Sequence, residues 1–210
     1  MSDIGEVYYL ILNSSRRQPI FLGDDDRRHF TQVVGEAIEA CRVNVHAYCL
    51  LRAEARLAVQ STEAPVTNFA LRVVDTYARS HERQHIGTGR RLERRYRKVV
   101  VEGQTALLDL VRHIHLAPLK EGLAEELDEY VWSSHPVYAG LTTTPWLTTE
   151  TTLQNLAFTD GGPVRTYSEF MRAGLQSAAS RSPALAHETH GAHEDPPARP
   201  GVRTESPYWL

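Results

Sequence analysis

Several things are scarce in this chain, and each scarcity excludes something. It has two cysteines in 210 residues, Cys41 and Cys49, in apolar surroundings and without metal-type spacing. That pattern predicts reduced core thiols in a reducing cytosol, and excludes a disulfide-stapled fold or a cysteine-based zinc module. No run of eighteen apolar residues occurs, so no membrane span is expected. The start, Met-Ser-Asp-Ile-Gly-Glu, has neither a basic end nor an apolar centre, so no signal peptide is expected. An excess of positive charge is also missing. The net charge of −3 argues against a protein that coats nucleic acid indiscriminately.

What is present suffices for one ordinary globular domain, since hydrophobic residues make up 41% of the chain. Residues 6–12 read as a buried strand, followed by a polar turn holding Arg16 and Arg17 and a short second strand over 18–22. Asp24, Asp25 and Asp26 crowd a helix start, where carboxylates meet free amide groups. The helix predicted behind them covers 26–41. Residues 43–51 and 54–60 read as an antiparallel strand pair broken at Arg52-Ala53. Pro65 opens a helix over 66–84 with Phe69, Val73 and Tyr77 on one stripe. A strand over 96–101 and a helix over 104–117, ended by Pro118, come next. Trp132, Tyr138 and Trp146 suggest packed loops, and 163–175 offers a last helix. Strands with crossing helices in this order predict an α+β domain with a mostly antiparallel sheet, over residues 1–176. Residues 177–210 are rich in Ala, Ser, Pro, Gly and His and read as a flexible tail. That tail carries His187, His190 and His193 and ends in Pro207-Tyr208-Trp209-Leu210.

Charge is unevenly spread. Residues 79–98 hold Arg79, Arg83, Arg90, Arg91, Arg94, Arg95, Arg97 and Lys98 against Glu82 and Glu93, eight minus two, or +6. A basic segment in an acidic chain points to a directed anionic partner.

Several blocks together resemble the single-tyrosine HUH transposases, most of all the REP-associated tyrosine transposases of bacteria. They are Tyr8-Tyr9-Leu10-Ile11, Arg17-Gln18-Pro19-Ile20-Phe21 and Asp25-Asp26-Arg27-Arg28-His29-Phe30. Val45-His46-Ala47-Tyr48-Cys49-Leu50-Leu51 follows, then the stretch from Arg112-His113-Ile114-His115 to Leu123, then Tyr130-Val131-Trp132-Ser133-Ser134 with Tyr138 and Gly140. Pro145-Trp146-Leu147 and the helix from Tyr167 to Leu175 are weaker. Order and spacing, over about residues 6–175, carry the resemblance. It implies a compact α+β nuclease fold, often dimeric, in a cytoplasmic bacterial protein that is nucleoid-associated or free. Such a protein binds single-stranded or hairpin DNA and cuts it with a tyrosine nucleophile and a divalent metal such as Mg or Mn.

The departures fall on the chemistry. The family's Met-Pro-Asn-His-x-His motif lands on Leu51-Arg52-Ala53-Glu54-Ala55-Arg56. Two histidines at i and i+2 of a strand share a face and can ligate one ion. Arg56 has no lone pair to offer and repels a cation beside it. An ion pair between Glu54 and Arg56 is therefore expected where the metal would sit, with no resident cofactor. The resemblance makes Tyr77 the vestigial nucleophile candidate, with Ser80 at the alternative position; a core aromatic is the other reading of Tyr77. His81 and His85 read as exposed helix residues, with replacement metal ligands as the alternative. The family's basic stretch survives as Glu93-Arg94-Arg95-Tyr96-Arg97, where arginines suit phosphate and Tyr96 suits stacking on an unpaired base. Arg16 and Arg17 would extend that surface. His113 and His115 lie on one helix, where i and i+2 diverge, so they make no metal pair.

Three functions follow. The first is a DNA-binding protein for single-stranded or hairpin DNA that has lost cleavage. The second is an active tyrosine endonuclease with a rearranged ion site built from Glu54 and His81 or His85. The third is an interaction scaffold whose tail docks a protein partner.

Overall fold

A computed structural model describes residues 5–13, 18–85, 92, 94–156 and 162–180, with side chains in the last segment described for 166–176. Arg16, Arg17, Arg90, Arg91 and residues 181–210 lie outside the described residues.

Four strands form the frame: β1 (Val7–Asn13), β2 (Val43–Leu50), β3 (Glu54–Ser61) and β4 (Arg95–Val101). Their order is β2-β3-β1-β4 and every pairing is antiparallel. The first strand is thus central, which explains its nearly continuous apolar run. Leu51 N–H donates to the Glu54 carbonyl at 2.8 Å and closes the β2–β3 hairpin at the predicted break. The strand expected over 18–22 does not form. Pro19 has no amide proton, and the N–H groups of Ile20 and Phe21 converge on the single carbonyl of Arg52 at 3.0 and 3.5 Å. Ile20 and Phe21 instead plug into the core from a loop.

Helix α1 (Asp24–Cys41) begins at the three aspartates, and Arg27 and Arg28 pair back to Asp24 and Asp25. It stops at Arg42, whose φ of 52° is left-handed. Helix α2 (Val66–Gln84) starts after Pro65 as read from the sequence. Both pack on the face carrying Tyr8, Leu10 and Leu12: Leu12 and Tyr77 line one cavity with Ile20 and Phe30. Helix α3 (Gln104–His115) lies on the opposite face, where the His113 ring meets the Tyr9 ring edge-on at 5.7 Å. Pro118 does not end the helical path. It sits in the first turn of α4 (Ala117–Lys120), where a missing N–H leaves no bond unmade.

The later chain is irregular but packed. It includes α5 (His135–Tyr138), α6 (Glu150–Leu156) and α7 (Gly162–Ser180), the last running past the expected 175. The outer edge of β2 is covered: Leu50 N–H donates to Trp132 O, Ser134 N–H to Tyr48 O and Thr148 N–H to Val45 O, at 2.8–2.9 Å. At the other end of the sheet, β4 has no strand beyond it among the described residues.

A buried polar chain docks α7. Ser134 Oγ lies 2.6 Å from His115 Nε2, His115 Nδ1 2.8 Å from the Tyr167 hydroxyl, that hydroxyl 2.6 Å from His135 Nδ1, and His135 Nε2 2.8 Å from Asp128. Burial holds both imidazoles below their ordinary range. With both neutral, one ordering satisfies every link. Ser134 donates to His115, His115 Nδ1–H to Tyr167, Tyr167 to His135 Nδ1, and His135 Nε2–H to the Asp128 carboxylate. His115 is therefore a hydrogen-bonded core residue.

Candidate nucleic-acid interface and the Arg56 site

Strand alternation decides what shares a surface. Tyr9, Ile11 and Asn13 of β1 point away from α1 and α2. Ile11 pairs with Arg56 on one side and Arg97 on the other; Asn13 pairs likewise with Glu54 and Arg95. One face of the sheet therefore presents Tyr9, Glu54, Arg56, Arg95 and Arg97 together.

Arg56 is the centre of that face. Its guanidinium lies 2.5 Å from Glu54 Oε1 and 2.9 Å from Glu121 Oε1, with its side chain 16% exposed. The ion pair expected between Glu54 and Arg56 thus forms, and Glu121 of the turn after α4 makes it a triad. From the sequence, Tyr9 enters only as part of a resembling block and His113 only as half of a rejected metal pair, and Glu121 has no role. Only the strand register and the packing of α3 bring them to Arg56.

The triad sets the local electrostatics. Burial pushes the Tyr9 phenol up to about 12, against the pull of Arg56. Desolvation of the ring, then the Arg56 and Lys120 cations, push the His113 imidazole down to about 4. His113 remains exposed, so water screens part of that field. The ordinary form of this site near neutral pH is a neutral phenol, a neutral imidazole and a satisfied guanidinium.

Tyr77 is elsewhere. It lies on the α1–α2 side of the sheet, 4% exposed, and its hydroxyl donates to the Ile20 carbonyl at 2.7 Å. Burial, then the nearby Asp26 charge, push its phenol far up. Phe21 and Phe30 pack against its ring at 5.8 and 5.0 Å. Of the two readings of Tyr77, the structure has the core aromatic. Ser80, the alternative position, is buried and donates back to helix carbonyls.

The basic segment divides around the β4 edge. Arg95 and Arg97 are exposed on the Arg56 face. Arg79 and Arg83 are exposed on α2, and Arg94 reaches Asp75 of that helix at 3.4 Å, on the other side. Lys98 is half-buried with its ammonium 5.5 Å from the Tyr8 ring. Tyr96 does not offer the stacking surface expected of it. It pairs with Leu12, shares the inward face and is 6% exposed.

His81 and His85 also differ from the expected exposed pair. His81 is fully buried, and His85 Nε2 lies 2.9 Å from Asp26 Oδ1. Glu54 sits across the sheet from them, so the ligand set of Glu54 with His81 or His85 is not assembled.

Comparison with known proteins gives a likeness to solved structures. No protein-family model matches the sequence, and no curated protein does. A solved structure of a REP-associated tyrosine transposase bound to a REP hairpin is similar, with a TM-score of 0.55 and 11% identity over 69% of this chain and 92% of that one. At this identity the likeness is one of fold: the four-stranded antiparallel sheet with its packed helices is the architecture of that transposase.

Proposed function

We propose that this chain binds single-stranded or hairpin DNA along the β4 edge and does not cut it. The observation that carries this reading is the alternation of β4, which puts Arg95 and Arg97 on the face of Arg56. Arg79, Arg83 and Arg94 flank the same edge from behind. A phosphate backbone running along this edge meets guanidinium forks on both sides. The solved neighbour of the same fold is bound to a REP hairpin, which favours that class of ligand.

The same face supports the reading that cleavage is lost. Strand transfer needs a polarised phosphate and an activated nucleophile. Arg56, held between two carboxylates, places a fixed positive charge where a divalent ion would be repelled. The nucleophile candidate on α2 is a buried phenol on the far side of the sheet.

Fluorescence anisotropy with a labelled DNA hairpin and a salt series tests the interface. Each phosphate contact contributes about 0.7–0.9 to the slope of log affinity against log salt, so Arg95→Ala/Arg97→Ala lowers that slope by roughly 1.4–1.8. Hairpin binding no tighter than binding to a neutral polymer, or a slope unchanged by these substitutions and by Arg79→Ala/Arg83→Ala, would sink the proposal.

A further inference from the structure

A second set of ligand-type side chains lies between α1 and α2, away from the Arg56 face. It comprises Asp26 in the first turn of α1, His81 in the last turn of α2 and His85 at the C-cap of α2. Each offers a donor atom, and the three atoms lie within 4.8 Å of one another. The two histidines are four residues apart on one helix stripe, with ring centroids 4.3 Å apart. His81 is fully buried and Asp26 is 4% exposed, so this is not a chance gathering of surface groups.

The carboxylate is already oriented. Leu22 N–H donates to Asp26 Oδ2 at 2.6 Å, which turns Oδ1 toward His85 Nε2, 2.9 Å away. A backbone contact to the non-ligating oxygen is the kind of support that fixes a metal ligand. The spacing fits as well. Oxygen and nitrogen ligands at about 2.0–2.1 Å from a tetrahedral ion lie roughly 3.3 Å apart. The observed separations, from 2.9 Å to no more than 4.8 Å, bracket that value. Side-chain adjustment alone can close the set.

The donor chemistry selects the ion. Two imidazoles and one carboxylate suit zinc and its transition-metal neighbours, whereas magnesium and calcium prefer all-oxygen shells. The His85 side chain is 24% exposed, so solvent reaches this side of the set.

We propose that Asp26, His81 and His85 bind one zinc-class divalent ion, which clamps the start of α1 to the end of α2. His85 caps the C-terminal end of α2, within the basic stretch of residues 79–98, so the ion would fix that end of the helix against α1.

The test uses the full chain carrying His187→Gln, His190→Gln and His193→Gln, which removes the tail histidines as competing ligands. Calorimetric titration with Zn²⁺ should give one ion per chain and a higher melting temperature. Co²⁺ should give the intense visible absorption of a tetrahedral N/O site. His85→Asn and Asp26→Asn should each weaken Zn²⁺ binding by more than about 100-fold, while circular dichroism without metal stays that of the parent. Absence of Zn²⁺ binding and of a tetrahedral Co²⁺ spectrum in the parent would overturn the proposal. Binding untouched by both substitutions would overturn it too. Should a substituted chain fail to fold, the Co²⁺ spectrum of the parent still decides.

Discussion

Replacing Arg56 with methionine keeps most of the stem and removes the charge. Two carboxylate oxygens would then remain no more than about 5.4 Å apart, the sum of the 2.5 and 2.9 Å contacts. At that separation their repulsion is about 3 kcal/mol for an effective dielectric of ~20, and below ~1 kcal/mol in bulk water. The Glu54 and Glu121 side chains are 22% and 39% exposed, so the value falls between these limits. Loss of the charge-assisted bonds, screened in the same way, adds about 1–2 kcal/mol. The net destabilisation is roughly 2–3 kcal/mol, less than for a fully buried pair. For a chain of this size that lowers the melting temperature by about 4–12 °C. Urea unfolding should show the loss as a shifted midpoint with an unchanged slope. Adding Glu54→Gln should recover part of it by relieving the repulsion. Millimolar Mg²⁺ should also stabilise Arg56→Met, whose carboxylates can now accept a hard cation, and leave the native chain unchanged. A loss under ~0.5 kcal/mol, or an equal Mg²⁺ response in both proteins, would refute the reasoning.

Other consequences are as direct. In Arg56→Met the His113 imidazole should titrate higher than about 4 by NMR, because one of the cations holding it down is gone; an unchanged value would contradict the proximity. Tyr167→Phe removes the hydroxyl that links His115 to His135 and leaves ring nitrogens short of partners, which should destabilise by about 2–4 kcal/mol in thermal unfolding. A loss within error would mean that the chain of bonds does not dock α7. His46, His115 and His135 all titrate below the ordinary imidazole range in the folded protein, chiefly from burial. The unfolded chain therefore binds more protons once the pH drops below ~6.5, and stability present above that value declines toward the lower folded-state values. Urea midpoints should fall between pH 7.5 and 5, and a rise would be contrary.

The fold was legible wherever one periodicity dominated. The stripe of Phe69, Val73 and Tyr77 and the flanking Pro65 marked α2 from end to end, and the β2–β3 break was visible at Arg52-Ala53. The segment 18–22 misled because apolar content alone does not separate a strand from a buried loop; the shared Arg52 carbonyl decides it. The site was half legible. Glu54 and Arg56, two residues apart on one strand face, form a local pattern, whereas Glu121 lies 65 residues from Arg56 and meets it only through packing. Tyr96 reads as an offered aromatic until pairing with Leu12 fixes which face it takes. His81, His85 and Asp26 show the same limit, since helical spacing pairs the histidines but only the α1–α2 contact supplies the carboxylate.

A paired gel experiment with a labelled DNA hairpin tests the central claim most directly. The same samples, with and without Mn²⁺, are run on a native gel for binding and on a denaturing gel for a covalent protein–DNA adduct. The account predicts a shifted band on the native gel and no adduct under either condition. An adduct would show that a nucleophile and an ion do meet in this chain, and would contradict it.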